Sequence, residues 1–262
     1  MSNADAVIAA LRSGHDSLAA LVTLLSDDDL ARPSAAAEWD ISQVLSHLGS
    51  GAEIGQATLN AALGDVKPDS GMDFARSVWA RWDAAGRRER ADGFLRENAA
   101  LTKLYESLAP RDDLRIDMGF LPAPVDLATA GRFRLNELTL HSWDVRAGLE
   151  PAATLAPDAI AHLAPVVGRM AGRFGRPGPL NGTKAVIRVT TTAPDLVLAL
   201  HLGDEISVSV DDALNPDGAL ALPAEAWVRL VTGRLGPAHT PAGVTAAGAA
   251  DLDLLRKVFP GY

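Results

Sequence analysis

Apolar residues recur at helical spacing as far as Gly148 and then give way to short alternating runs, so the chain must change architecture part-way along. In the first segment Val7, Leu11, His15, Leu18, Val22 and Leu25 follow steps of three and four and form a single stripe. Asp27 to Pro33 ends that helix. A second helix begins after Trp39, where Asp40 is a good N-cap and Gln43 occupies the capping-box position, and it runs to about Leu63. Gly64, Pro68 and Gly71 mark a loop over 64–72. A third helix, rich in Arg and Glu, is expected over roughly 73–108, with Pro110 as its stop. Arg111 to Val125 reads as irregular or extended, and a fourth helix covers about 126–148. Four helices of this length predict a four-helix bundle.

Beyond Pro151 a helix over about 157–174 leads into a Gly/Pro loop, Gly175 to Pro179. Runs of β type follow at Ala185 to Thr191, Leu196 to Leu202 and Ile206 to Val210. A helix from Pro223 to Thr232, a short strand near 243–247 and a helix from Ala250 to Phe259 close the pattern. The expectation is two domains, residues 1–152 as the bundle and 153–262 as a small α+β domain with a mainly antiparallel sheet.

Composition excludes several functions. The net charge of −9 argues against nucleic acid as a partner, because a phosphate backbone needs a basic face. There is no cysteine, hence no disulfide, no cysteine nucleophile and no thiolate metal ligand. Any thiol chemistry must use a thiol from outside, and any metal must be held by His and carboxylates. No apolar run reaches the roughly 18–20 residues of a membrane helix. The N-terminal sequence lacks the basic region and apolar core of a secretory signal, so a cytoplasmic protein with no membrane partner is expected. Asn181-Gly182-Thr183 then reads as a turn rather than a glycosylation site.

The strongest local signal is Arg134-Leu-Asn-Glu137-Leu-Thr-Leu-His141-Ser-Trp-Asp144-Val-Arg146. On a helix Glu137, His141 and Asp144 share a face, next to the apolar stripe of Leu138 and Val145. A carboxylate and an imidazole one turn apart can chelate one ion, and bundles build such sites from facing helices. His47, flanking the stripe of Ile41, Val44, Leu45, Leu48 and Ala52, is the best partner. Two His and one Glu leave a coordination position open, as catalytic zinc sites do. Taken alone, a Glu–His pair at this spacing is also met as a surface ion pair or a packed histidine.

Trp39-Asp-Ile-Ser-Gln-Val-Leu-Ser-His47-Leu-Gly together with Glu137-Leu-Thr-Leu-His141-Ser-Trp-Asp144-Val resembles the mycothiol-dependent maleylpyruvate isomerase family, within the wider group of DinB-like metal-binding bundles. Leu222-Pro-Ala-Glu-Ala-Trp-Val-Arg-Leu-Val-Thr-Gly-Arg234-Leu resembles that family's second, sterol-carrier-like domain. The resemblance implies His47, Glu137 and His141 as ligands of a divalent metal, with zinc the first choice among several ions a His2Glu set accepts. It implies mycothiol, or another small thiol, as cosubstrate, and isomerisation or thiol conjugation of an electrophilic small molecule. It also implies a second-domain arginine for the substrate carboxylate, with Arg234 the first choice and Arg229 the alternative. Metal-activated water would instead give a hydrolase, and a closed ligand set a binding module without turnover.

Of the remaining residues, Asp144 is either an acceptor for a ligand His or an ordinary helix charge. His15 is expected to be a half-buried core histidine. Trp39 and Trp143 are expected to pack, and Arg87-Arg88-Glu89-Arg90 to form a solvated helix face.

Overall fold

The computed structural model describes residues 3–64, 71–210 and 215–261. They divide into two compact units, Met1–Glu150 and Pro151–Tyr262. The first unit is a helical bundle and the second carries a mixed five-stranded sheet.

In the first unit the long helices are α1 (Asn3–Val22), α3 (Ile41–Ala62), α5 (Arg87–Leu108) and α6 (Leu127–Ala147). They pack as α3 on α5 and α1 on α6, with α1–α5 and α3–α6 contacts closing the bundle. The stripe read in the sequence is the packed face of α1: Val7, Leu11, Leu18, Val22 and the following Leu25 are all buried. Ile41, Val44, Leu45, Leu48 and Ala52 play the same part on α3. The segment after α1 holds one further turn, α2 (Asp27–Leu30), started by a capping box between Ser26 and Asp29. Asp40 starts α3 as expected, its carboxylate accepting from Gln43 N while Gln43 Oε1 accepts from Asp40 N.

The expected third helix is two helices. α4 (Met72–Ala84) ends at Ala85, whose extended backbone (ψ 147°) turns the chain into Gly86 and α5. Tertiary packing decides the break. Trp82, near the end of α4, is received by α3 and α5 at two glycines: a Cβ on Gly49 would lie 2.1 Å from the indole, and one on Gly93 2.8 Å. A single helix through 73–108 would carry Trp82 away from that notch. The Arg87–Arg90 run is also more than a solvated face. Arg87 donates to Asp40 Oδ2, Arg88 to Asp27 Oδ1 and Leu25 O, and Arg90 to the carbonyls of Trp82 and Asp83. Between α5 and α6 the irregular stretch is pinned by a bridge between Ile116 and Val125. Most of the expected loop over 64–72 lies outside the described residues.

In the second unit α7 (Pro157–Phe174) precedes β1 (Ala185–Thr192), β2 (Leu196–Leu202) and β3 (Ser207–Val210). The sheet order is β3-β2-β1-β4-β5. β4 (Gly218–Pro223) was not expected, and its pairing with β1 is the one parallel ladder among the described residues, with Val189 opposite Leu220. The remaining pairings are antiparallel, including β4 with β5 (Thr245–Gly248). Alternate residues of β1, namely Ala185, Ile187, Val189 and Thr191, are buried. α8 (Ala224–Val231) follows β4 directly, and α7 packs on α8 and β3. α9 (Leu252–Val258) ends the unit. Asn181 (φ 50°) and Gly182 (φ 81°) form the expected turn. Among the described residues no helix is long and apolar enough to cross a membrane.

Candidate metal centre

The candidate ligands sit on facing helices whose starts are fixed by side-chain caps. Asp40 caps α3, and His47 follows about two turns later on its flank. Asp126 caps α6 by accepting from Thr129 N at 2.7 Å, and Glu137 and His141 project from the middle of that helix. The three side chains converge. His47 Nε2 lies 3.1 Å from Glu137 Oε2, and His141 Nε2 lies 3.7 Å from the same oxygen. The candidate ligand atoms all lie within 4.8 Å of one another. Zinc bonds of about 2.0–2.1 Å in tetrahedral array place neighbouring ligand atoms about 3.3 Å apart. The donor set therefore fits a divalent ion with little rearrangement.

Around the ligands the side chains fix ring orientation. Asp144, fully buried, accepts from His141 Nδ1 at 2.8 Å. This bond directs the Nε2 lone pair of His141 toward Glu137. Asp144 is itself tied down, its backbone carbonyl accepting from Ala35 N at 2.9 Å. Of the two readings left open by the sequence, the structure therefore selects the acceptor. Trp39 does more than pack: its ring lies 5.5 Å from that of His47 and 6.3 Å from that of His141, and it stays 37% exposed. It forms a wall at the mouth of the site. Trp143 is buried as expected.

Beneath the ligands runs a buried polar chain that sequence reasoning missed. Arg134, one turn before Glu137, donates from Nη2 to Leu48 O at 2.9 Å and to Asn98 Oδ1 at 2.6 Å. Asn98 Nδ2 in turn donates to His15 Nδ1 at 2.8 Å. His15 is thus a core histidine with a specific partner, and burial lowers its pKa. Burial also lowers the Arg134 pKa to about 10, with Tyr105 and Glu137 pulling the other way. The only sequence cue was the position of Arg134 on the ligand face of α6. For Glu137, burial opposes ionisation. The hydrogen bond from His47 and the positive charges of His141, His47 and Arg134 outweigh it and hold the carboxyl at about 2. The site therefore presents an ionised carboxylate between two histidine rings.

Residues 11–146, just over half the chain, match the mycothiol maleylpyruvate isomerase N-terminal domain. The chain belongs to this family. No curated protein sequence matches it. The fold matches two crystal structures, of the mycothiol-dependent maleylpyruvate isomerase and of a histidine-to-alanine mutant of it. Each match has a TM-score of 0.64 at 14% identity and covers 93% of this chain and 92% of the other. The likeness extends through both units, and at this identity it establishes the shared fold. The isomerase family match itself ends at Arg146, before the second unit begins.

In that second unit the two candidate arginines differ. Arg229 is buried, its guanidinium paired with both carboxylate oxygens of Glu225 at 2.7 Å and donating to His239 O. That arrangement is a structural clasp. Arg234 follows Gly233 (φ 75°), is half-buried and donates from Nη1 to Thr232 O at 3.1 Å.

Proposed function

We propose that the protein is a metal-dependent enzyme that uses mycothiol, or a similar small thiol, to isomerise or conjugate an electrophilic small molecule. The observation that carries the reading is the convergence of His47, Glu137 and His141 on one point between α3 and α6. Family membership supports the thiol, and the absence of cysteine fits a scheme in which the sulfur comes from the cosubstrate.

His47, Glu137 and His141 would hold the ion, with zinc the expected occupant. When bound, it would supply the positive charge that keeps a thiol ionised at neutral pH, where a free thiol of pKa about 8.5 is mostly protonated. The protein's own groups prepare the place. Asp144 fixes the His141 tautomer, and Glu137 stays ionised and needs no proton removed before it can act as a ligand. Trp39 covers the imidazoles and reduces access of bulk water from its side. We assign the grip on a substrate carboxylate to Arg234, because Arg229 is committed to Glu225 and His239.

The test is elemental analysis of the wild type, His47→Ala and His141→Ala, followed by turnover of maleylpyruvate with and without mycothiol. The reading expects about one metal per chain, lost in both variants, and thiol-dependent turnover. Metal-dependent activity indifferent to thiol would replace it with a hydrolase. A folded wild type that takes up no zinc would overturn it.

A further inference from the structure

Beside His47, and apart from the other two ligands, α3 and α4 enclose a cavity of about 360 Å³, a size suited to part of a small molecule. Three tryptophans line it: Trp39, Trp79 and Trp82. Trp82 is anchored, with its ring in the Gly49–Gly93 notch and its Nε1 donating to Glu53 Oε2 at 3.0 Å. Trp79 is 42% exposed, a large apolar surface left open beside the cavity. Arg90 clamps the end of α4 through the carbonyls of Trp82 and Asp83, so these walls are held in place before anything binds.

The polar lining narrows the ligand. Gln43 spends its carbonyl oxygen on Asp40 N, which leaves its amide NH2 for a ligand. The hydroxyl of Ser46, which reaches the cavity surface, and the carboxylate of the exposed Asp83 take no hydrogen-bond partner among the described residues. A purely apolar occupant would cover the Ser46 hydroxyl and the Gln43 amide without offering them a partner, and a phosphate would meet the Asp83 carboxylate. A ring that carries several hydroxyls satisfies both halves of the lining. Its C–H face stacks on indole, while its hydroxyls donate to Asp83 and accept from Gln43 and Ser46.

We propose that this groove binds a polyhydroxylated ring, carried by the thiol whose sulfur is directed to the neighbouring His47–Glu137–His141 centre. The proposal rests on the functional reading above for the identity of the carrier, and on the groove alone for the ring.

The test has two arms on the full chain. In the first, ligand-observed NMR measures binding of myo-inositol and methyl α-glucoside to the wild type, to Trp79→Ala and to His141→Ala. At least one polyol binds saturably at millimolar concentration, Trp79→Ala weakens it about tenfold, and His141→Ala leaves it unchanged. Trp79→Phe restores part of the loss. No saturable binding to the wild type, or no effect of Trp79→Ala, overturns the ring site whether or not the centre binds metal. In the second arm, calorimetry compares mycothiol, which carries a glycosidic polyol, with N-acetylcysteine, which does not. Trp79→Ala should weaken mycothiol and spare N-acetylcysteine. Equal effects on both would remove the thiol as carrier, even if the polyols bind. A wild type that takes up no zinc yet binds the polyols would instead refute the functional reading and leave the groove standing.

Discussion

Asp144 offers the sharpest test of how the candidate centre is preorganised. Its carboxylate is fully buried and accepts from His141 Nδ1 at 2.8 Å. In Asp144→Ala the imidazole loses the bond that selects its tautomer, and its ring is freed to rotate. Partners of this kind contribute about 10- to 100-fold to metal affinity, which is about 1.4–2.7 kcal/mol. Asp144→Asn keeps the volume and one acceptor oxygen but removes the charge, so it should fall between wild type and Asp144→Ala. Competition for zinc against a chromophoric chelator at fixed pH reads the affinity directly. Circular dichroism and the Tm of the metal-free forms show whether each variant is folded, since loss of a buried carboxylate also changes stability. A folded Asp144→Ala with zinc affinity within about twofold of wild type would refute the argument that this bond orients the ligand.

Three further outcomes follow from features outside the ligand set. Gly49→Ala forces a Cβ to 2.1 Å from Trp82 and should cost about 1–3 kcal/mol in denaturant unfolding, with Trp82→Leu in the same chain recovering part of it. Asp40→Ala removes the α3 cap and the Arg87 ion pair, and should cost about 0.5–2 kcal/mol at neutral pH. Burial opposes ionisation of Asp40, but Ser42, Arg87 and the Gln43 backbone still hold its pKa below the usual value. The wild-type advantage is therefore present above the unfolded-state pKa of about 3.9 and lost as pH falls through the lower folded-state value, which urea titrations across the acid range would follow. Glu225→Ala leaves the Arg229 guanidinium buried without its carboxylate and should destabilise the second unit by about 3–5 kcal/mol, read as a lowered Tm.

What the sequence disclosed, and what it hid, divides along physical lines. The packed faces of α1 and α3 were legible because burial there follows helical period, and Leu45, Leu48 and Ala52 are all fully buried. The α3 cap was legible because Asp40 and Gln43 act on each other across three residues. The approach of His47 to Glu137 and His141 was legible because His47 lies on the flank of the apolar stripe of α3, where a facing helix can reach it. The division of α4 from α5 was hidden, since Ala84 and Ala85 favour helix and the cause is the distant notch at Gly49 and Gly93. β4 was hidden for a similar reason. Gly218-Ala-Leu-Ala-Leu has weak strand propensity and is held by long-range pairing with β1, while Gly218 has no room for a Cβ beneath Ala250 N at 2.5 Å. The chain from His15 through Asn98 to Arg134 joins three helices, and no local pattern announces it.

The candidate ligand set is shared between two helices, and on the proposed function that division would tie assembly to chemistry. Glu137 and His141 belong to α6 and are positioned together as soon as that helix forms, whereas His47 arrives only when α3 docks in the right register. A slip of one residue along α3 would move His47 by about 1.5 Å and swing it by about 100°, out of reach of the other two. If the proposed centre binds an ion, a correctly closed bundle would be the only form able to hold it, and retention of metal through purification would serve as a proofreading signal for the packing of α3 against α6.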